Sequence, residues 1–215
     1  MGVARAVQAR IARHRFYPVT ILYTAFAWAT FGVGLRSRWS VALAAFLAGV
    51  FVWTFVEYLA HRYVLHGVFP DAPGVRHLLH ARFDGLHWEH HKRPWDGHHI
   101  NGTIGDTLPL VGPATALSFL LPVHTLPVFL AGLLQAYVLE EWVHQSVHMY
   151  DFRDPYFRYI KRHHAYHHTE SGSERAFGLT NAGWDAAFGT PIPPADKARV
   201  HDPSQPTPYT SPLAV

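Results

Sequence analysis

Residues 16–35, FYPVTILYTAFAWATFGVGL, and residues 39–56, WSVALAAFLAGVFVWTFV, carry no charged side chain. Each run is close to the ~20 residues an α-helix needs to cross the hydrocarbon core of a bilayer. Only Arg36, Ser37 and Arg38 separate them, so the pair reads as a helical hairpin turned at 36–38. The basic start (Arg5, Arg10, Arg13, Arg15) with Ala25-Phe26-Ala27 imitates a secretory leader, but the apolar run continues well past that triplet. Both segments therefore read as spans.

Residues 108–139 contain no Asp, Glu, Lys or Arg, and Pro122 and Pro127 bracket a turn in their middle. Each half makes about 23 Å of helix, short against a core of ~30 Å. The spacing fits two short spans that continue into the following helix, or a re-entrant hairpin. Either returns the chain to the side it left. Of the 18 Lys and Arg, all but Arg36 and Arg38 lie in residues 1–15, 62–106 and 151–215. The positive-inside rule assigns those three segments, both termini among them, to the cytoplasm. The expected fold is all-α and integral to the membrane: four transmembrane or re-entrant helices under a cytoplasmic, His-rich helical cap. Residues 1–190 form the expected membrane domain. Residues 191–215, with seven Pro, read as an extended or disordered tail.

Composition agrees. Charged residues are 15% of the chain, against about 25% in a soluble domain. Seven Trp, ten Tyr and fourteen Phe exclude general disorder. The absence of Cys excludes disulfides, thiolate zinc sites, iron–sulfur clusters and Cys nucleophiles in these residues. The net charge of +3 does not indicate a nucleic-acid partner, because the basic groups flank apolar spans. Motifs for hydrolases, phosphate loops and dinucleotide folds are absent.

The 18 His match Lys and Arg combined, and ten of them fall into four clusters. These are His61 and His66; His87, His90 and His91; His144 and His148; and His164, His167 and His168. All four lie on the expected cytoplasmic side. Residues three and four apart share one face of a helix. The His61–His66 spacing of five is about 140° on an α-helix. That spacing either sends the two rings to different centres or requires a distorted last turn. Imidazole is the commonest metal ligand near neutral pH. Ten imidazoles suit two metals with five each, which leaves one vacancy per six-coordinate shell, as oxygen activation needs. A satisfied hydrogen-bonding residue is the ordinary explanation of a lone interfacial His, but four spaced clusters together are not explained that way. His14, His124 and His201 read as surface or interfacial. His163 falls on another face of the fourth cluster, and His77, His80, His98 and His99 flank the second. Glu57 and Glu140 precede His61 and His144 by four residues, and Asp185 lies in the segment after the last cluster. Each is a candidate acceptor for the second N–H of a metal-bound imidazole.

These boxes resemble the membrane fatty acid hydroxylase and sterol desaturase superfamily. The residues that carry the resemblance are Glu57-Tyr-Leu-Ala-His61-Arg-Tyr-Val-Leu-His66, His87-Trp-Glu-His90-His91, His144-Gln-Ser-Val-His148 and His164-Ala-Tyr-His167-His168. The stretch from Phe177 to Thr190 is similar to the segment after the last box of fatty acid 2-hydroxylases. The resemblance covers about residues 40–190. It implies a dinuclear iron oxygenase that uses O2 to hydroxylate lipid C–H bonds, with zinc sometimes occupying the sites. The segment between His66 and His87 is longer than that branch suggests. Pro94-Trp95-Asp96 stands where that branch usually has a basic residue and a Pro pair, and Ala60-His61-Arg62 also resembles carotenoid hydroxylases. Desaturation of a sterol or lipid, or carotenoid hydroxylation, is therefore the alternative reaction. No His-Pro-Gly-Gly haem motif occurs, so a separate electron-donor protein is expected, besides a lipid or acyl-chain substrate from the bilayer. A metal transporter would place polar ligands near the bilayer midplane, whereas these clusters lie beyond the span ends.

Overall fold

The computed structural model describes residues 3–67, 73–74 and 85–201, and no strand occurs among them. Val3–Leu59 is helical except at Arg38, whose extended backbone (φ −156°, ψ 82°) divides it. We call its arms α1 (3–37) and α2 (39–59). A π-helical turn, Ala60–Leu65, follows directly. The remaining helices are α3 (Gly85–Lys92), α4 (Ile104–Ser118), α5 (Leu126–Met149), α6 (Pro155–His167), α7 (Gly183–Ala187) and α8 (Pro194–His201).

The chain divides into two compact units. One consists of Arg13–Val56 and Asn101–Trp142, and holds both apolar hairpins. Phe31 and Phe46 stack with ring centroids 4.3 Å apart. On one continuous helix their positions would lie about 22 Å apart, so the chain does fold back at Arg38. An aromatic cluster of Phe16, Tyr23 and Tyr137 packs with Trp53 and Trp142 inside this unit. Outside it, Ile21, Leu47, Phe51 and Leu120 are exposed. A water-facing protein rarely spreads so much apolar surface, and a lipid environment removes the cost. The stretch ending at Leu65 and α5 are long and apolar enough to cross a membrane. At 15 residues, α4 is about 23 Å long and falls short. It starts at Asn101-Gly102-Thr103, where the Asp106 carboxylate accepts the Thr103 N–H at 2.8 Å and Glu141 holds the Asn101 amide at 2.8 Å.

The other unit consists of Met1–Ala12, Glu57–Ile100 and Val143–Val215. Ala9 and Ala12 pack with Ile100 and Met149, and Tyr166 packs with Ala176 and Ile192. The segment read as an extended tail contains α8, and the Tyr166 hydroxyl donates to Asp196 on that helix at 2.9 Å. Residues 202–215, His77 and His80 lie outside the described residues.

In the hairpin unit, a Cβ built on Gly49 would lie 2.0 Å from the Phe129 carbonyl oxygen, and one on Gly132 would lie 2.1 Å from that of Phe46. The backbones of α2 and α5 touch there. A Cβ on Gly32 meets nothing within 4 Å. We expect Gly49→Ala to lower stability by about 1–3 kcal/mol through overpacking. Gly32→Ala should raise it by about 0.5–1 kcal/mol. Thermal unfolding in detergent micelles measures both, and equal effects would refute the close helix contact.

Candidate metal centre

Four short stretches of the second unit bring ten imidazoles together. The π turn is the first. Its i→i+5 pattern is closed by the His66 N–H donating to the His61 carbonyl at 3.1 Å. A wider turn carries the fifth residue round to nearly the same face, so both rings reach one place. Of the two outcomes that the spacing of five permits, the distorted turn is the one formed. On α3, His87 and His91 are four apart and join the same group, while His90 turns to a second. On α5, His144 and His148 both join the second group. On α6, His167 joins the first group, and His164 joins the second with His168 at the helix cap. The three-His clusters of the sequence are thus each shared between two centres.

Helix α6 is fixed locally by its N-cap, Asp154, which accepts the Phe157 N–H at 3.0 Å, and by Pro155 in the first turn. Arg5 donates to Asp151 at 2.7 Å and to the His148 carbonyl at 3.1 Å. Lys161 donates to the Tyr150 carbonyl at 2.9 Å and also pairs with Asp151. These contacts tie the end of α5 to α6, and so His148 to His164.

The first group is His61, His66, His87, His91 and His167; the second is His90, His144, His148, His164 and His168. Within each group one ring nitrogen per residue lies within 4.8 Å of all the others. In the first, the Nε2 atoms of His66, His87 and His91 form a triangle with sides of 2.9, 3.1 and 3.1 Å. His66 Nε2 is also 2.9 Å from His167 Nε2. In the second, His144 Nε2 lies 3.1 Å from those of His90 and His148. His164 Nε2 lies 2.9 Å from that of His148 and 3.0 Å from that of His168. A neutral imidazole has one N–H and one lone pair, so hydrogen bonds cannot satisfy such a triangle. A cation can. With metal–nitrogen bonds of about 2.1 Å, neighbouring ligands of an octahedron are about 3.0 Å apart and opposite ones about 4.2 Å. A tetrahedron would need about 3.4 Å between neighbours at that bond length. The two groups are adjacent, with His91 of one stacked on His168 of the other at 4.3 Å.

Backbone carbonyls set two of the tautomers. His61 Nδ1 donates to the Phe177 carbonyl at 2.5 Å and His167 Nδ1 to the Arg175 carbonyl at 2.7 Å. Both rings therefore carry hydrogen on Nδ1 and present Nε2 as a lone pair. His61 Nε2 is buried without a hydrogen-bond partner among the described residues, as suits a lone pair kept for a metal. Glu57 does not take the place expected of it beside His61. Its carboxylate accepts the N–H of Leu179 at 2.5 Å and of Thr180 at 2.8 Å, and the Thr180 hydroxyl at 2.7 Å. Asp185 accepts from Phe177 N, Gly178 N, Thr190 Oγ1 and His163 Nε2. The two carboxylates hold the loop whose carbonyls hold the rings. No residue-type pattern marks a carbonyl, so Arg175 and Phe177 escaped the sequence reading in that role. The buried acids flanking the loop were its only signal. Glu140 is buried, 5% exposed.

Burial pushes His87, His90, His164, His167 and His168 well below the ordinary imidazole range, and neighbouring imidazoles push further in the same direction. Burial takes His66 down to about 4; burial and then His66 take His91 down to about 3. Neutral rings with free lone pairs are what a metal requires. His14, His98, His99, His124 and His163 lie outside both groups. His99 pairs with Asp96, His124 with Ser37 and His163 with Asp185.

A family model for fatty acid hydroxylases matches residues 46–190. The chain is 32% identical over 162 residues to fatty acid 2-hydroxylase of Rattus norvegicus, covering 72% of this chain and 41% of the relative. It is 33% identical over 144 residues to dihydroceramide fatty acyl 2-hydroxylase FAH2 of Arabidopsis thaliana, covering 66% and 58%. It is 33% identical over 165 residues to ceramide very long chain fatty acid hydroxylase SCS7 of Saccharomyces cerevisiae, covering 76% and 42%. The chain thus spans about two fifths of the length of the rat and yeast relatives. A solved structure of full-length scs7p, with only the hydroxylase domain visible, superposes with a TM-score of 0.72 at 31% identity, over 83% of this chain and 67% of that one.

The depressed imidazoles give the metal-free protein a pH signature. Their folded pKa values lie below the ordinary 6.5, so below about pH 6.5 the unfolded chain binds protons that the folded one refuses. Stability of chelated protein should fall as pH drops from 6.5 towards 4, and stay level above 7 in this respect. Melting temperature against pH measures it; a rise in stability on acidification would contradict the buried, neutral rings.

Proposed function

The chain belongs to the fatty acid hydroxylase family, and we propose that it is a membrane-bound dinuclear oxygenase that hydroxylates a C–H bond of a lipid acyl chain. The observation that carries this reading is the division of ten neutral imidazoles into two groups of five, each gathered within 4.8 Å. Relatives named as fatty acid and dihydroceramide fatty acyl 2-hydroxylases favour the carbon next to the carboxyl carbon as the target.

His61, His66, His87, His91 and His167 would hold one iron, and His90, His144, His148, His164 and His168 the other. Zinc is the expected substitute in purified protein, since imidazole suits both metals. Two irons bound there would supply oxygen activation strong enough to hydroxylate an unactivated C–H bond. The reaction takes one O2, two electrons and two protons, places one oxygen atom in the C–H bond and releases the other as water. Each group would offer five nitrogen donors to its ion. The carbonyls of Phe177 and Arg175 keep His61 and His167 in the ligating tautomer. Burial of the rings keeps bulk water from the reacting atoms. These 215 residues carry no Cys and no flavin or haem motif, and we assign the electrons to a donor outside them.

In the membrane, α1, α2, α4 and α5 form four spanning or re-entrant helices, with both termini and the histidine centres cytoplasmic. The distribution of Lys and Arg supports this sidedness. Cys introduced at Ser37 should react with an impermeant reagent in intact cells, and Cys introduced at Ser171 should not. The reverse labelling would overturn the topology.

Protein from iron-replete cells should carry close to two metals per chain. His148→Ala and His167→Ala should each abolish turnover and lose metal. Glu140→Gln should cost about 10–100-fold in affinity or activity, as a group behind a ligand does, and His124→Ala should be nearly silent. Metal content and hydroxylated lipid, read in the same variants at matched expression, test the order. Turnover by fully chelated protein would sink the reading.

A further inference from the structure

We propose that the short segment 186–189, at the end of α7, lies in the interfacial layer of the bilayer and touches lipid directly. This placement rests on reading residues 39–56 as a membrane span. Residues 176–195 carry a single charged side chain, Asp185, and it is fully buried. Its oxygens are taken up by Phe177 N, Gly178 N, Thr190 Oγ1 and His163 Nε2. The outer surface is left to Gly183, Ala186, Ala187, Phe188 and Gly189, all exposed and none charged. Phe188 is the large one, 46% exposed. The loop just before it differs: Glu170, Ser171 and Glu174 are its exposed residues, as a water-facing loop requires.

A few exposed apolar residues occur on any protein surface, so it is the position of these that decides. Tyr58 follows the uncharged run 39–56 by two residues, and its ring marks the end of that run. Phe188 stacks on it, with centroids 5.4 Å and planes 21° apart. One residue earlier, the buried Glu57 carboxylate accepts the N–H groups of Leu179 and Thr180. Both contacts fasten the segment to the last turn of α2, and it shares the depth of that turn. With five residues, α7 falls far below the ~20 needed to cross a bilayer, so it rests in the boundary layer and does not span.

The neighbouring residues are those that such a boundary favours. Trp184 lies 6.3 Å from Phe188, ring to ring. Tyr63 is exposed. Arg62 sits 5.0 Å over the Tyr63 ring and donates to the Tyr58 hydroxyl at 2.7 Å. Trp and Tyr collect at membrane–water boundaries, and an Arg there keeps its stem in apolar surroundings and its head in water. Glu57 and Asp185 are both turned onto backbone N–H groups, so neither presents its charge to lipid. Inward from Phe188 the rings continue: Tyr58 to Phe177 at 6.1 Å, then Phe177 to His61, His66 and His167 at 5.7, 5.3 and 5.4 Å. The first histidine group thus stands three ring contacts from lipid.

The chain has no Cys, so one introduced Cys carries one spin label. Full-length protein labelled at Ala187→Cys, Leu47→Cys or Ser171→Cys is reconstituted in phosphatidylcholine bilayers. Collisions with dissolved oxygen, which concentrates in lipid, are compared with collisions with a water-soluble nickel chelate. The label at 47 should meet oxygen and not nickel, and the label at 171 should do the reverse. The label at 187 should lose the nickel collisions seen at 171 and sit about 5–10 Å into the headgroup–acyl boundary, shallower than the label at 47. Phe188→Cys gives the same reading if Ala187→Cys does not fold. A nickel-accessible label at 187 beside a lipid-buried one at 47 would defeat this inference alone. So would a label at 187 shielded from both reagents, because protein and not lipid would then cover the segment. Nickel access at 47 would defeat the reading of 39–56 as a span, and this inference with it.

Discussion

Ten imidazoles packed into one buried region cannot carry protons. Each charge would have to be desolvated, and each would repel nine neighbours, so the rings are held neutral. Neutral rings still need partners, because a buried lone pair without one is costly. This constraint governs the unit around the histidines. It explains why ring nitrogens approach one another at about 3 Å where no set of hydrogen bonds could satisfy them. It also explains why the carboxylates stay off the rings in the first centre. A carboxylate bonded directly to a ring would favour imidazolium, while a carbonyl fixes the hydrogen on Nδ1 with less pull towards a second proton.

The supporting layer follows from this. Glu57 and Asp185 are buried acids whose oxygens are occupied largely by backbone N–H groups of one loop. Each N–H bonded to a carboxylate is a charge-assisted contact, stronger than a neutral one. The loop is thereby rigid enough for its carbonyls to serve as fixed acceptors. Tyr58 joins from α2, its hydroxyl 3.0 Å from that of Thr190 and taking a hydrogen bond from Arg62 at 2.7 Å. Negative charge is kept one layer away from the imidazoles and works through the backbone.

Much of this was legible in the residues. The two uncharged runs around Arg36-Ser37-Arg38 gave the first hairpin, because charge and apolar length are local properties. The four His clusters were legible for the same reason, and the count of five per centre followed from arithmetic. The partition was not legible. Spacing of three and four says that His164, His167 and His168 share a face, yet the boundary between the centres runs through that face, and only the packing of α3, α5 and α6 decides where. The π turn at Ala60–Leu65 was half legible, since a spacing of five demands either two destinations or a distortion, and local sequence does not choose. Glu57 stands out by its spacing of four from His61, yet it accepts from Leu179 and Thr180, because a helical face predicts proximity to His61 and is silent about a loop more than a hundred residues later. Helix α8 was missed because Pro191, Pro193 and Pro194 dominate the local signal, whereas Pro194 occupies the first helical position, where its missing N–H is harmless.

The histidine unit is discontinuous: its segments surround two long stretches that belong to the other unit. That discontinuity bears on biogenesis. His66 is translated 101 residues before His167, and at about 5–20 residues per second the earlier rings wait on the order of 5–20 s for the later ones. Through that interval both apolar hairpins must already be entering the membrane. The early imidazoles are then a half-built set of ligands. The complete set of ligands exists only once the loop after α6 has been made and has closed. A metal that meets the chain before that point meets an incomplete set of ligands.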